Sequence, residues 1–385
     1  MRRNTDEFDS ILSNDSLGVQ IIYTQINRDS INTPNFKSFY YQVDSTNYFY
    51  PASTVKLPQV LLALEKVNEL RALGYRLDKY TAMYHDSVHQ GQQSVKWDTT
   101  DVDSIPSIAH YSKKIMVVSD NDAFNRLYEF LGQKTTNEIL RRKGYNVRFL
   151  HRLERPLTPD QNRHTEAIRF VRNDTIIYRQ PMGVNADSIK PMRKVYRGVG
   201  YIKNDSLIKR PFDFTYKNFY PLQEQQEVLK AVLFPQVVEP KRRFNLMEED
   251  RKFVMQYMSQ LPSETKMPRY NQDTALYDAY CKFLMYGEDR APIPKTIRIF
   301  NKVGDAYGYL IDNAYIVDFE SGIEFMLSAV INTNTDGVYN DGKYEYKTIG
   351  YPFMKSLGRA VYNYELKRKR KFKPDLQDLK ISYDR

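Results

Sequence analysis

The order of strand and helix patterns predicts an α/β (α+β) protein. The expected core is an antiparallel sheet of about five strands, built from both ends of the chain and flanked by helices. A mainly helical domain is inserted between those ends. Three observations carry this expectation. Strand patterns cluster before residue 50 and again after residue 295. Helical periodicity dominates the middle, so the terminal strands must find one another to bury their apolar faces. No stretch approaches the ~18 consecutive apolar residues that a membrane-spanning helix needs.

Residues 17–24, 36–43 and 47–50 read as strands separated by polar turns. Pro51-Ala52 breaks the pattern, and Val60, Leu61, Leu64, Val67 and Leu70 then recur at helical spacing over 57–73. Helical patterns continue over 108–132 and 136–143, and the two prolines of 150–165 predict a surface loop. Short strands are expected at 176–178, 195–202 and 212–216, and helices at 222–233, 248–260 and 277–286. Strands return at 296–303, 314–319 and 324–332, the last two joined by the turn Glu320-Ser321-Gly322, before a closing helix over 353–368. The expected domains are a sheet domain of 1–56 and 292–385, a helical domain of 57–169 and 236–291, and a strand-rich insertion of 170–235.

The chain has 385 residues, with 57 Lys+Arg against 47 Asp+Glu, a formal charge of +10. Six of those positive charges lie in the run 367–373, so the excess is a local tail and no nucleic-acid partner is expected. A single cysteine, Cys281, excludes an internal disulfide framework and a thiolate zinc cluster. Asp6, Glu7 and Asp9 follow the basic start Met1-Arg2-Arg3, where a signal peptide would have its apolar core. The expectation is a cytosolic protein or a mature form whose export signal has been removed.

Ser53-Thr54-Val55-Lys56 falls at a strand-to-helix transition. Residues i and i+3 are neighbours on a helix, so Lys56 is poised to act on the Ser53 hydroxyl. Free N–H groups at the helix start can receive an oxyanion. Spacing alone is weak, because Ser206-Leu207-Ile208-Lys209 and Ser263-Glu264-Thr265-Lys266 match it too. Context separates the first from the others. Ser119-Asp120-Asn121 follows it within a helical stretch, and Lys302-Val303-Gly304 comes at the end of a later strand.

S-x-x-K, S-D-N and a K-x-G in this order resemble the class A β-lactamase-like serine hydrolase family, which includes penicillin-binding proteins. The run from Tyr50 to Pro58 is similar to the family's nucleophile turn, and 119–132 to its second motif and the following helix. Lys302 to Gly308, with two strands and a final helix behind it, is similar to its closing sheet. The similarity spans most of 15–170 and 235–365 and departs over 170–235.

The resemblance implies that Ser53 attacks an amide or lactam carbonyl and forms an acyl-enzyme. Lys56 would take its proton, directly or through Ser119, and Lys302 would attract an anionic substrate. Asn121 would hold the substrate's side-chain amide. Gly304 and Val303 would line the substrate strand, and the backbone N–H groups of Ser53 and Asp305 would form an oxyanion hole, worth ~3 kcal/mol per donor. The implied substrate is a small-molecule or peptidoglycan-derived amide, the implied location periplasmic or otherwise exported, and no metal or organic cofactor is called for.

Two departures stand out. Val303 occupies a position where the family carries a hydroxyl that binds the substrate carboxylate, a bond worth roughly 1.5–3 kcal/mol. Arg152-Leu153-Glu154-Arg155 is similar to the start of the loop that carries the family's deacylating glutamate, yet no Glu-x-x-Asn follows. An ungapped count puts Leu157 in the glutamate's place, and Glu166 is the nearest candidate after an insertion. The expectation therefore spans β-lactam hydrolysis, a penicillin-binding peptidase or esterase with slow deacylation, and a non-hydrolytic binder or catalytically dead interaction protein. His85 and His89 stand four apart, a spacing that on a helix could ligate metal. With no evident third ligand they read as surface histidines.

Overall fold

The computed structural model describes residues 10–187 and 190–383, so the acidic start of the chain lies outside the described residues. Two compact units emerge. The first takes its described residues from Met1–Thr54, Lys190–Leu229 and Tyr277–Ser382, the second from Val55–Ile189, Lys230–Leu276 and Tyr383–Arg385. The strand-rich segment 170–235 is shared between them.

In the first unit a five-stranded antiparallel sheet runs in the order Ile297–Ala306, Tyr309–Asp318, Ile323–Asn332, Gln20–Arg28, Pro34–Tyr41. Gln20–Arg28 pairs with Ile323–Asn332, which joins the two ends of the chain. Every residue of Tyr309–Asp318 is buried, the signature of a central strand covered on both faces. The helix Tyr351–Lys367 packs on Ile323–Asn332 and buries Phe353, Met354, Leu357 and Val361.

Three local expectations change. Residues 47–50 form no strand. Tyr48, Phe49 and Tyr50 are instead buried in an aromatic cluster with Phe214, Tyr309 and Tyr339, so Phe214 packs against the segment leading to Ser53. The expected helix at 277–286 is a 3-10 turn, Asp278–Cys281, and an irregular turn, Phe283–Tyr286, with Met285 at φ 74. Leu284 donates its N–H to the Asp312 carboxylate (2.9 Å) rather than to a helical carbonyl. Gly358 lies so close to the Met285 backbone that a Cβ there would collide with it. The basic tail is partly docked: Arg368 and Arg370 turn back onto the buried Glu365, while Lys367, Lys369, Lys371 and Lys373 are exposed.

The second unit is built around Lys56–Ala72, which packs against Ile108–Val118 and Asn121–Leu131. The single helix expected over 108–132 is interrupted at Ser119. A three-stranded antiparallel sheet, Ala82–Asp86, Ala167–Arg172 and Thr175–Gln180, completes the unit. Its hairpin turns at Asn173-Asp174, both at positive φ (49 and 59), a two-residue turn for which Asn and Asp are suited. No helix of the described residues is long and apolar enough to cross a membrane.

Candidate active site

Ser53 lies in the 3-10 turn Ala52–Val55, which runs directly into the Lys56–Ala72 helix. Ala52 before it has φ 46, a left-handed conformation that costs a non-glycine residue about 1–2 kcal/mol. The turn is closed by Thr54, whose N–H and hydroxyl both donate to the Pro51 carbonyl (3.1 and 2.6 Å). Strain held by such bonds immediately before a candidate nucleophile fits a pre-organised turn.

Gly304 on Ile297–Ala306 passes against this turn. A Cβ at 304 would lie 2.8 Å from Pro51 O, 2.9 Å from Ser53 N and 3.0 Å from Thr54 N. Only glycine lets the strand backbone come so near the Ser53 N–H. Asp305 follows, exposed, while Val303 before the glycine is buried. Lys302 is buried and donates to the Val303 carbonyl (3.0 Å). Burial pushes its pKa down to about 8, against the charges of Asp305 and Asp312, which pull it up.

Beneath this strand lies a polar network that sequence reasoning missed. Asn301 donates to Asp312 (2.8 Å) and accepts from Lys282 (2.7 Å). Lys282 is likewise lowered to about 8 by burial, and burial raises the Asp312 pKa. One signal was available: Asn301 precedes Lys302 in a strand that is otherwise apolar up to that point apart from Arg298.

In the second unit the structure brings Lys56, Ser119 and Asn121 together. Lys56 is fully buried, and Nζ donates to the Ser119 carbonyl, to Ser119 Oγ (3.2 Å) and to Asn121 Oδ1 (2.5 Å). The reason is local. Ser119 ends one helix in the left-handed conformation (φ 60), and Asp120 caps the next by accepting from Ala123 N (2.7 Å). This break in the helix turns the Ser119 carbonyl and hydroxyl, with the Asn121 amide, onto one lysine. The other two S-x-x-K matches lead no such helix: Ser206 is in the strand Ser206–Ile208, and Ser263 in the 3-10 turn Pro262–Glu264.

Glu166 is placed elsewhere in the second unit. It is fully buried, 2.9 Å from His85 Nδ1 and 3.3 Å from Arg126 Nη1, and accepts from Gln93 N (3.0 Å). Burial by itself raises its pKa; the His85 contact, Arg126 and the Gln93 amide outweigh that and lower it. A carboxylate held ionised in this way is a weak proton acceptor. Neither Lys56 nor Ser119 is among its partners. His85 is consequently not a surface histidine but a fully buried residue of the strand Ala82–Asp86, and His89 lies in a loop, so no helix presents the pair.

A family model described as the β-lactamase enzyme family matches residues 7–199. Among solved structures, a class A β-lactamase from Clostridium kluyveri aligns with TM-score 0.50 at 14% identity, covering 92% of this chain and 99% of that one. A β-lactamase from Sphaerobacter thermophilus aligns with TM-score 0.49 at 11% identity, covering 93% and 95%. A search of curated proteins finds no match. At 14% identity the first alignment speaks for the fold alone.

Proposed function

Since the chain belongs to the β-lactamase enzyme family, we propose that it is a serine hydrolase that opens an amide, most readily a β-lactam, through an acyl-enzyme on Ser53. The observation that carries this is the placement of Lys56 Nζ against Ser119 Oγ and Asn121 Oδ1, one helical turn beyond Ser53.

In the proposed cycle Lys56 first releases one of its three protons to solvent, giving up one donated bond, and the neutral amine then takes the Ser53 hydroxyl proton as Oγ bonds to the carbonyl carbon. The oxyanion is received by the backbone N–H groups of Ser53 and Asp305. The C–N bond then breaks, and the proton returns through Ser119 to the leaving nitrogen. Water later cleaves the ester and frees Ser53. Lys302, charged below about pH 8, attracts an anionic substrate, and Asn121 orients it.

A second reading is favoured by one observation. The Glu166 carboxylate is engaged by Arg126, His85 and the Gln93 amide, which fits a structural role rather than that of deacylating base. Deacylation is then slow, and the protein behaves as a penicillin-binding peptidase or an acylated binder. The test is the intact mass of wild type and Ser53→Ala after exposure to penicillin or a chromogenic cephalosporin. Turnover without adduct supports hydrolysis, and a persistent adduct supports slow deacylation. An unmodified wild type without turnover, against esters as well, would sink the Ser53 proposal.

A further inference from the structure

His89, Asp160 and His164 come together on the second unit, and none of them is among the residues assigned to the Ser53 reaction. One ring nitrogen of each histidine and one carboxylate oxygen all lie within 4.8 Å of one another. The two imidazoles stack, with centroids 4.0 Å apart and planes 7° from parallel.

Their hydrogen bonds give the pair a defined chemistry. His89 Nδ1 is 3.2 Å from the Gln90 carbonyl, and His164 Nδ1 is 2.9 Å from the Asp160 carbonyl. A carbonyl oxygen only accepts, so each Nδ1 carries the proton and each Nε2 keeps a lone pair. Metal-binding histidines are held in the same manner, with the second nitrogen donating to a backbone or carboxylate oxygen. Asp160 lies within the short helix Pro159–Arg163 and His164 directly after it, the helix being fixed by the capping box of Thr158 and Gln161. His89 is brought to this turn by Gly91. At φ 86 a Cβ there would lie 3.0 Å from Gln161 Nε2, so the loop lies directly on the helix.

We propose that His89, His164 and Asp160 bind one first-row divalent metal ion of the zinc class, which ties the 87–92 loop to the Pro159–Arg163 helix. Two imidazoles and a carboxylate suit zinc, nickel or copper(II) better than magnesium or calcium, which prefer all-oxygen shells. Bonds of about 2.0–2.2 Å around zinc require the donors to close by roughly 1.5 Å, and one imidazole to turn out of the parallel stack, because each lone pair lies in its own ring plane. Asp160 is largely exposed and both rings are partly so, which leaves their torsions free to make that adjustment. A fourth position stays open to water. The proposal is independent of the reaction assigned to Ser53.

The experiment is calorimetric titration of zinc chloride into the full chain after EDTA treatment and dialysis, with cobalt(II) absorption as a second readout. The expected result is one ion per chain, with a zinc-dependent rise in melting temperature. His89→Gln and His164→Gln each lose both, Asp160→Asn weakens binding, and His151→Ala keeps it. Melting in EDTA shows whether the variants are folded. The proposal is overturned if wild type binds no stoichiometric ion, or if His89→Gln and His164→Gln bind as tightly as wild type. It is also overturned if the variants are destabilised in EDTA while zinc stabilises neither them nor wild type, since the stack is then only a packing contact.

Discussion

Two buried charge clusters, one in each unit, follow opposite plans. In the second unit Glu129 grips Arg152 through two short bonds (2.6 and 2.7 Å), and Glu166 meets Arg126 and His85. Forked cations face carboxylates, and the ionised state of Glu166 is favoured. In the first unit Lys282, Asn301, Lys302 and Asp312 put two cations beside one carboxylate, with an amide between them. Both lysines are pushed down to about 8 and Asp312 is pushed up. One cluster is locked in its ionised form; in the other, burial works against the charge of every ionisable member. The difference teaches that burial alone does not set the state of a charge: the geometry of its partners does.

The largest effect should come from breaking the locked cluster. Arg152→Met leaves Glu129 buried without its cation and is expected to cost about 3–5 kcal/mol in denaturant titrations. Lys302→Met leaves Lys282 facing Asp312, and should cost less than about 1.5 kcal/mol at neutral pH. Equal losses in the two variants would erase the contrast.

The next effect is pH dependence. Lys302 falls from an ordinary value of 10.5 to about 8 on folding. Between those values the unfolded chain holds a proton that the folded chain has released, so stability rises with pH across this window, by up to about 3 kcal/mol. Below pH 8 the folded protein bears the cost of a buried charge. The rise should be diminished in Lys302→Met. For an anionic substrate kcat/KM should fall as pH passes 8, while Lys302→Arg removes that midpoint and Asp312→Asn moves it lower. A profile flat through this range in wild type would contradict the role given to Lys302.

A smaller effect tests the link between the strand that carries Lys302 and the turn that carries Ser53. Gly304→Ala should destabilise by about 1–3 kcal/mol and slow adduct formation at Ser53, seen by timed intact mass. Acylation at the wild-type rate would mean the close approach is not needed. The smallest effect concerns the cap that turns Ser119 toward Lys56. Asp120→Ala should lose about 1 kcal/mol, and Asp120→Asn nearly none, in thermal melts.

Much of the candidate site was legible because its motifs are local. Lys56 follows Ser53 by three residues, and Ser119 and Asn121 bracket a helix cap, so short-range geometry places them. The helix Leu222–Leu233 and the three closing strands were legible for the same reason, from periodicity. The strand Ala82–Asp86 was not, because five residues holding a histidine and flanked by polar segments show too little alternation. The Asn173-Asp174 turn was a readable signal that went unread.

By itself the sequence determined the family, the order of elements and the neighbours of Ser53 along the chain, since these rest on residue type and spacing. Only the tertiary structure decided the fate of Glu166, whose partners Gln93 and Arg126 lie 73 and 40 residues away. It alone lowered Lys302, by burying it, and it alone stacked His89 on His164. Desolvation and Coulomb forces act through space. They depend on which distant side chains share a buried volume, and that volume exists only once the chain has folded.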